Sequence, residues 1–123
     1  MSVRQIQSPW LSDVFSTAGA TPSNGNSTLN YAPPSGSSGY IEVTLVSRSA
    51  AGLGGAVKVG ALFTNVAGTV TVTPLGAPLV SLVASLATLA VTFSVSGQTI
   101  QPLVTGVAAT NIEHLVDAKY WVN

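Results

Sequence analysis

Apolar and polar residues alternate along much of the C-terminal third of the chain. Between 91 and 96, Val and Phe alternate with Ser and Thr, a period of two that predicts a strand with one apolar face. Gly97-Gln98 interrupts this run and predicts a tight hairpin turn before a second strand over 99–105. Because Pro102 lacks a ladder donor, the second strand is expected at an edge or beside a bulge.

A third alternating run extends from Asn111 to Val122 and predicts a long final strand. Tyr120 and Trp121 are adjacent in it and therefore face opposite sides. One of the two is expected in the core, and the other is free to contact a partner. The positions expected to be buried in this region are Val91, Phe93, Val95, Ile100, Val104 and Ile112.

Two strands with half-buried alternation precede this region, over Tyr40–Arg48 and Val57–Asn65. The glycine-rich segment Ala50–Ala56 between them predicts a turn, so the two strands should pair as a hairpin. A short strand over Thr69–Thr73 follows, in which threonines alternate with valines. Prolines and a glycine end it by Pro78.

The segment Leu79–Leu89 fits two structures. Its leucines and valines recur at spacings of three and four, which is compatible with a helix of three turns. A short strand over Leu79–Val83 followed by a loop is preferred, because the neighbouring segments are strands at the spacing of a sandwich. A membrane-spanning helix over Leu79–Val95 is not expected, since Ser and Thr interrupt the run, Pro78 precedes it and no basic flank follows.

Six or seven short strands with hairpin links predict an all-β fold. We expect a single antiparallel β-sandwich over residues 40–123, and a jelly-roll arrangement is compatible with it. Ser, Gly, Asn, Thr and Pro dominate 16–39, so this tract cannot form its own core, and residues 1–39 are expected to form an extended N-terminal arm. Large apolar residues in the arm would anchor it on another subunit or on its own domain. For Trp10 and Phe15, capping the chain's own core is an equal alternative.

Charge is scarce: 7% of residues are charged, against about 25% in ordinary soluble chains. Four basic and four acidic residues balance, so no nucleic-acid or membrane partner is expected. From Val59 through Ile112 there is no charged residue. Either polar uncharged side chains solvate the surface, or neighbouring subunits cover it. The second interpretation is preferred and predicts a homo-oligomer.

Few residues could carry out catalysis. His114 is the only histidine, and its neighbour Glu113 points to the other face of the predicted strand. Glu113 and Asp117 share a face but lie about 13 Å apart along the strand, too far for a carboxylate pair. The chain has no cysteine. We therefore expect no catalytic residue, no metal and no cofactor, and a small hydrolase is the least favoured interpretation.

The chain resembles a known group of proteins in three segments: GYIEVTLVSRS, KVGALFTNVAGTVTV and VTFSVSGQTIQPLVTGVAATNIEHLVDAKYWV. Their succession is similar to a small β-sandwich module that recurs in structural proteins of tailed bacteriophages, and it covers Tyr40 to Val122. The most distinctive part is Val104 to Thr110. One departure is that the family has acidic residues in the loop where this chain has the apolar segment Val83–Leu89, which suggests that the loop is buried in a contact of this protein.

The resemblance implies a non-enzymatic virion protein, assembled in the host cytoplasm. A capsid decoration or cement protein that stabilises the head shell through its arm and sandwich is the preferred function; a tail fibre, baseplate or receptor-binding component is the alternative. The implied partners are the major capsid protein or other virion proteins. Deletion of residues 1–38 would then leave a folded domain that no longer binds capsids. The residues expected at protein interfaces are Trp10, Leu11, Phe15, Leu29, Tyr31, Leu86 and Trp121.

Overall fold

The computed structural model describes residues 9–123, which contain eight strands and one short 3₁₀ turn. All strand pairs are antiparallel. The elements are β1 Trp10–Thr17, β2 Ser38–Ser49, β3 Gly54–Val66, β4 Thr69–Pro74, β5 Leu79–Leu82, the 3₁₀ turn Ala84–Leu86, β6 Ala90–Ser96, β7 Thr99–Thr105 and β8 Ile112–Val122.

Six of the strands form one sheet in the order β1-β8-β2-β3-β4. The fifth strand also pairs with β3, on the edge that β4 occupies further along. There β4 lies opposite Ala61–Val66, whereas β5 lies opposite Gly55–Lys58. The link between β4 and β5, residues 75–78, therefore passes the edge of β3 between Lys58 and Ala61.

The remaining two strands, β6 and β7, form a separate hairpin that covers the inner face of the large sheet. The core lies between the two layers, and alternate residues of each long strand contribute to it, as period-two patterning requires. Its largest fully buried side chains include Tyr120, Phe63, Leu29, Ile41, Leu45, Leu86, Ile100 and Ile112.

The chain is thus all-β, with two antiparallel sheets arranged in the manner of a sandwich, as the sequence predicts. The β2–β3 and β6–β7 hairpins and the short strand β4 are confirmed. Gly97 has a φ of 60°, the left-handed conformation that a tight turn requires. For Leu79–Leu89 the predicted strand is confirmed and the alternative helix is not found, since β5 is followed by a single 3₁₀ turn. Within residues 9–123, no helix is long and apolar enough to cross a membrane.

The proline in β7 lies on the edge of its sheet, as predicted. Pro102 pairs with Phe93 of β6 on one side. On the other side, single bridges join Tyr31 to Ile100 and Ser23 to Val104. In an antiparallel strand, alternate backbone N–H groups point the same way, so the missing N–H of Pro102 faces the gap between these bridges.

From Pro9 onward, the predicted N-terminal arm is instead part of the sandwich. Residues 10–17 form β1, an edge strand that pairs with β8 along its whole length. Residues 18–37 then cross the small sheet, and Leu29 is buried in the core. The sandwich therefore begins at β1 and not at residue 40. The prediction for residues 1–8 of the arm lies outside the described residues.

The sequence of β1 conceals its role because its inner face is half polar. Leu11 and Phe15 point inward together with Asp13 and Thr17, so the strand lacks a clean apolar face. The partners of those polar groups lie far away in the sequence, at Asn26 and His114.

Most of the predicted core positions are confirmed. Val91, Ile100, Val104 and Ile112 are buried, and Phe93 is half-buried against the core. Val95 is 39% exposed, so the prediction for it is wrong. It lies at the end of β6, beside the turn, where the sheet ends and fewer side chains cover it.

Candidate interaction surfaces

One face of the large sheet carries almost all of the charge. We define the outer face as the side chains of β1, β8, β2 and β3 that point away from β6 and β7. Within residues 9–123, every charged side chain except Asp13 lies on it. The charged residues of the outer face are Glu42, Arg48, Lys58, Glu113, Asp117 and Lys119. Its three cations and three anions balance, so the face carries no net charge.

The cross-strand register arranges the outer face in rows. Each row takes one residue from β8, the residue opposite it in β2 and, where the strands reach, residues of β1 and β3. From one end of the sheet to the other, the rows are Trp121–Tyr40–Leu62, Trp10–Lys119–Glu42–Gly60, Ser12–Asp117–Thr44–Lys58, Val14–Leu115–Val46–Ala56 and Ser16–Glu113–Arg48–Gly54.

Aromatic rings stand at one end of the outer face. The rings of Trp121 and Tyr40 lie 5.4 Å apart, centroid to centroid. The Lys119 ammonium lies 4.7 Å from the Trp121 ring and 5.1 Å from the Trp10 ring, within cation–π range of both. Beside them an open groove of about 530 Å³ is lined by Tyr40, Leu62 and Trp121. Exposed Trp and Tyr with a nearby cation are typical of protein interfaces.

Short polar contacts orient the charged side chains. The Lys58 ammonium lies 3.2 Å from a Glu42 carboxylate oxygen, and Arg48 lies 3.8 Å from Glu113. The Ser12 hydroxyl donates to Asp117 at 2.6 Å. Such exposed pairs stabilise a fold by at most about 1 kcal/mol, so these ion pairs contribute little to folding.

A second surface, which we call the β5 edge, is apolar and free of charge. It consists of Leu75, Leu79, Val80 and Val83, on β5 and the segments on either side of it. Leu79 is 71% exposed and Val80 is 58% exposed. Adjacent residues of a strand point to opposite faces, so both faces of β5 are open to solvent. Among the described residues, β5 has one strand neighbour, β3, and its other edge presents unpaired backbone groups.

An apolar pocket of about 320 Å³ opens beside the β5 edge. It lies where the link 75–78 crosses the edge of β3 and faces β6. Its walls include Val59, Val72, Leu75, Pro78, Val91 and Phe93. A pocket of this size and lining can accept one large apolar side chain from a partner.

The structure distributes the predicted interface residues among different environments. Leu29 and Leu86 are each 1% exposed and belong to the core, which corrects the prediction that they contact a partner. Leu11, Phe15 and Tyr31 are half-buried and pack against the core. Trp10, 66% exposed, and Trp121, 37% exposed, share the outer face. Tyr120 is fully buried, so the prediction that Tyr120 and Trp121 divide between core and surface is confirmed.

Sequence reasoning missed the individual residues of the β5 edge. The signals for this region were the absence of charge from Val59 through Ile112 and the apolar segment Val83–Leu89. Periodicity could not indicate exposure, because the same spacing of leucines and valines occurs on a buried helix face or on an uncovered strand. The environment of Val80 depends on how far the β6–β7 hairpin reaches over β5.

His114 joins three strands in the interior. Its Nε2 lies 2.8 Å from the Thr17 hydroxyl on β1, and its Nδ1 lies 2.7 Å from the Ser47 hydroxyl on β2. The Phe15 ring packs against the imidazole at 5.4 Å between centroids. Burial lowers the pKa of His114 below its ordinary value of 6.5. The ring is fully buried, so this arrangement holds β1, β8 and β2 together.

Acidification is expected to destabilise the fold through His114. Because its pKa is lowered in the folded chain, the unfolded chain takes up the proton first as the pH falls. The contribution of neutral His114 to the free energy of unfolding is therefore complete above its ordinary pKa of 6.5 and decreases as the pH falls below that value. Urea unfolding at pH about 7.5 and about 5.5 would measure this decrease. His114→Gln should reduce the difference between the two pH values; an equal difference in both proteins would refute the assignment.

Asp13 secures the loop that follows β1. Its carboxylate accepts hydrogen bonds from the backbone N–H of Asn26 at 2.9 Å and from the Asn26 side-chain amide at 2.7 Å. Burial raises the pKa of Asp13, but these hydrogen bonds, together with those from Thr28 and the Val14 backbone, outweigh burial and hold the pKa below its ordinary value of 3.8. Asp13 therefore keeps its negative charge to a lower pH than an ordinary Asp carboxyl does.

Within residues 9–123, no group of three or more His, Asp or Glu side chains is placed to hold a metal ion. No protein-family model matches the chain, and no curated protein matches it by sequence.

Proposed function

We propose that this chain is a non-enzymatic structural protein of a tailed-bacteriophage virion, a capsid decoration or cement protein that binds the head shell. The observation that carries the proposal is the β5 edge, a charge-free apolar strand edge beside an open apolar pocket. The resemblance of residues 40–122 to a phage virion module supplies the class of partner.

The β5 edge has the features of a strand-addition site. Its unpaired backbone groups can pair with an extended segment of the shell protein, and the pocket can take one apolar side chain of that segment. A partner segment carrying charge would be desolvated against Leu79 and Val80 without compensation. The segment of the capsid protein that binds here is therefore apolar and uncharged.

The sequence predicts that the N-terminal arm contacts the capsid. We propose that the β5 edge makes this contact instead. Leu29 and the inward side chains of β1 pack in or against the core of the chain itself, so they are not available to bind the shell. A shell presents many identical sites, and a protein that also self-associates would bind such a lattice with avidity beyond that of each single contact.

Sedimentation with purified virion parts tests this function. The full-length protein is mixed with empty heads of a phage that encodes it and, separately, with isolated tails, and each mixture is centrifuged. We expect saturable co-sedimentation with heads and none with tails. Binding to tails alone would overturn head binding and support a fibre, baseplate or receptor-binding component. Absence of binding to both would overturn the virion assignment.

A further inference from the structure

The outer face is complementary to itself. In its two central strands, β8 and β2, the residues paired across the sheet are opposite in charge or both apolar in four of the five rows. Lys119 lies opposite Glu42, and Glu113 lies opposite Arg48. Trp121 lies opposite Tyr40, and Leu115 lies opposite Val46. The exception is Asp117, which lies opposite Thr44.

Consider a two-fold axis that runs parallel to the strands, above the outer face and midway between β8 and β2. It generates a second copy and turns the pairing within one sheet into a pairing between two copies. Rotation about it places β8 of one copy over β2 of a second copy with the rows still in register. Lys119 then faces Glu42 of the second copy, and Arg48 faces its Glu113. Within one copy Arg48 and Glu113 form an ion pair, whereas Lys119 and Glu42 are cross-strand neighbours. The four charges of two stacked rows therefore alternate in sign around a square. We infer that the outer face binds a second copy of this chain face to face, in an isologous dimer.

The flanking strands fit the same arrangement. The rotation places Trp10 of β1 over Gly60 of β3, which the Tyr40 ring covers, so the indole meets an aromatic ring, and it places Val14 over the small Ala56. It also places Lys58 over Ser12, whose hydroxyl bonds Asp117. Lys58 of one copy is thereby offset sideways by one strand spacing, about 4.8 Å, from Asp117 of the other, and the two Asp117 residues have the same offset from each other. This row contributes no net attraction, so the charge complementarity of the dimer rests on the Lys119–Glu42 and Arg48–Glu113 rows.

The size of the face predicts a weak dimer. Its rows extend about 27 Å along the strands, and four strands cover about 19 Å across them, so the footprint is roughly 500 Å² per copy. Stable interfaces bury about 800 Å² per partner. The pairing of the rows requires the strands of the two copies to pack nearly aligned. Association should therefore depend on protein concentration and weaken with added salt. Leu79 points to the same side of the sheet as Lys58, but it lies beyond β3, outside the four strands that face each other in the dimer, and Val80 points to the opposite side. Self-association and shell binding therefore use different residues.

Charge reversal at the Arg48–Glu113 row tests the dimer. The two side chains are 70% and 59% exposed, so single substitutions should leave the fold intact. In Arg48→Glu, positions 48 and 113 are both acidic, and in Glu113→Arg both are basic. In the homodimer of either variant, like charges would therefore face each other. We expect wild-type chain to show a concentration-dependent dimer in sedimentation velocity and each variant to bind itself at least roughly tenfold more weakly.

An equimolar mixture of the two variants separates intermolecular from intramolecular effects. The acidic row of one variant then faces the basic row of the other, so a heterodimer should form at wild-type affinity or better. Gln98→Glu adds one charge outside the outer face and should leave self-association unchanged. The inference is overturned if wild type stays monomeric at the highest soluble concentration, if either single variant dimerises as wild type does, or if the mixture does not recover.

Discussion

Replacing Leu29 with Ala is expected to lower the free energy of unfolding by about 2–5 kcal/mol. Leu29 lies in the loop between β1 and β2, yet it is 1% exposed and belongs to the main core. Its backbone carbonyl accepts a 2.6 Å hydrogen bond from the buried Tyr120 hydroxyl. The substitution leaves a cavity beside this bond, which the two packed layers cannot fully close. Chemical denaturation of the full chain would measure the loss.

Leu53→Ala is the matched control for Leu29→Ala. Leu53 is also a leucine outside regular strands, in the turn between β2 and β3, but it is 41% exposed. Its truncation should change stability by no more than about 0.5 kcal/mol. If Leu29→Ala cost as little as Leu53→Ala, residues 18–37 would not be part of the core. Because Leu29 is part of the core, a chain that starts at β2 should not fold on its own. This differs from the interpretation of residues 1–39 as a separable arm.

Introducing a charge at Val80 is expected to abolish binding to the head shell while the fold is retained. Val80 is 58% exposed in β5, so Val80→Asp adds a solvated carboxylate to the free chain. Against an apolar partner segment, the same carboxylate loses its water and finds no cation. An uncompensated buried charge costs about 3–5 kcal/mol, which corresponds to a loss of at least roughly a hundredfold in affinity. Co-sedimentation with empty heads would measure it.

Val66→Asp provides the control for the β5 edge. Val66 is 68% exposed at the end of β3, away from β5 and from the rows of the outer face. The identical substitution there should leave head binding unchanged. Thermal unfolding of both variants would verify that neither is unfolded at the assay temperature. Equal head binding by wild type and Val80→Asp would exclude the β5 edge as the contact.

Much of the fold could be predicted because its central strands have one clean apolar face. In β2, β3 and β8, core side chains alternate with charged or polar ones, and turn residues separate the strands. β1 could not be recognised in this way. Its inward positions include Asp13 and Thr17, whose cost of burial is offset by Asn26 and His114, partners that only the tertiary structure brings near.

The interaction surfaces could be predicted only in part. Trp121 had to be exposed once Tyr120 was buried, because adjacent strand residues face opposite sides. Leu29 and Leu86 were predicted at interfaces, but isolated leucines in loops look the same in sequence whether they enter the chain's own core or a partner. The exposure of Val80 depends on where the small sheet ends, which the local pattern does not encode, and Leu79 points to the opposite face, beside Lys58.

The most direct test of shell binding is electron cryo-microscopy of heads saturated with the protein. We predict density for the sandwich on the outside of the head shell, with the β5 edge and its pocket in contact with the capsid protein. Density at the tail, or density on the head in which β5 points to solvent, would contradict this account.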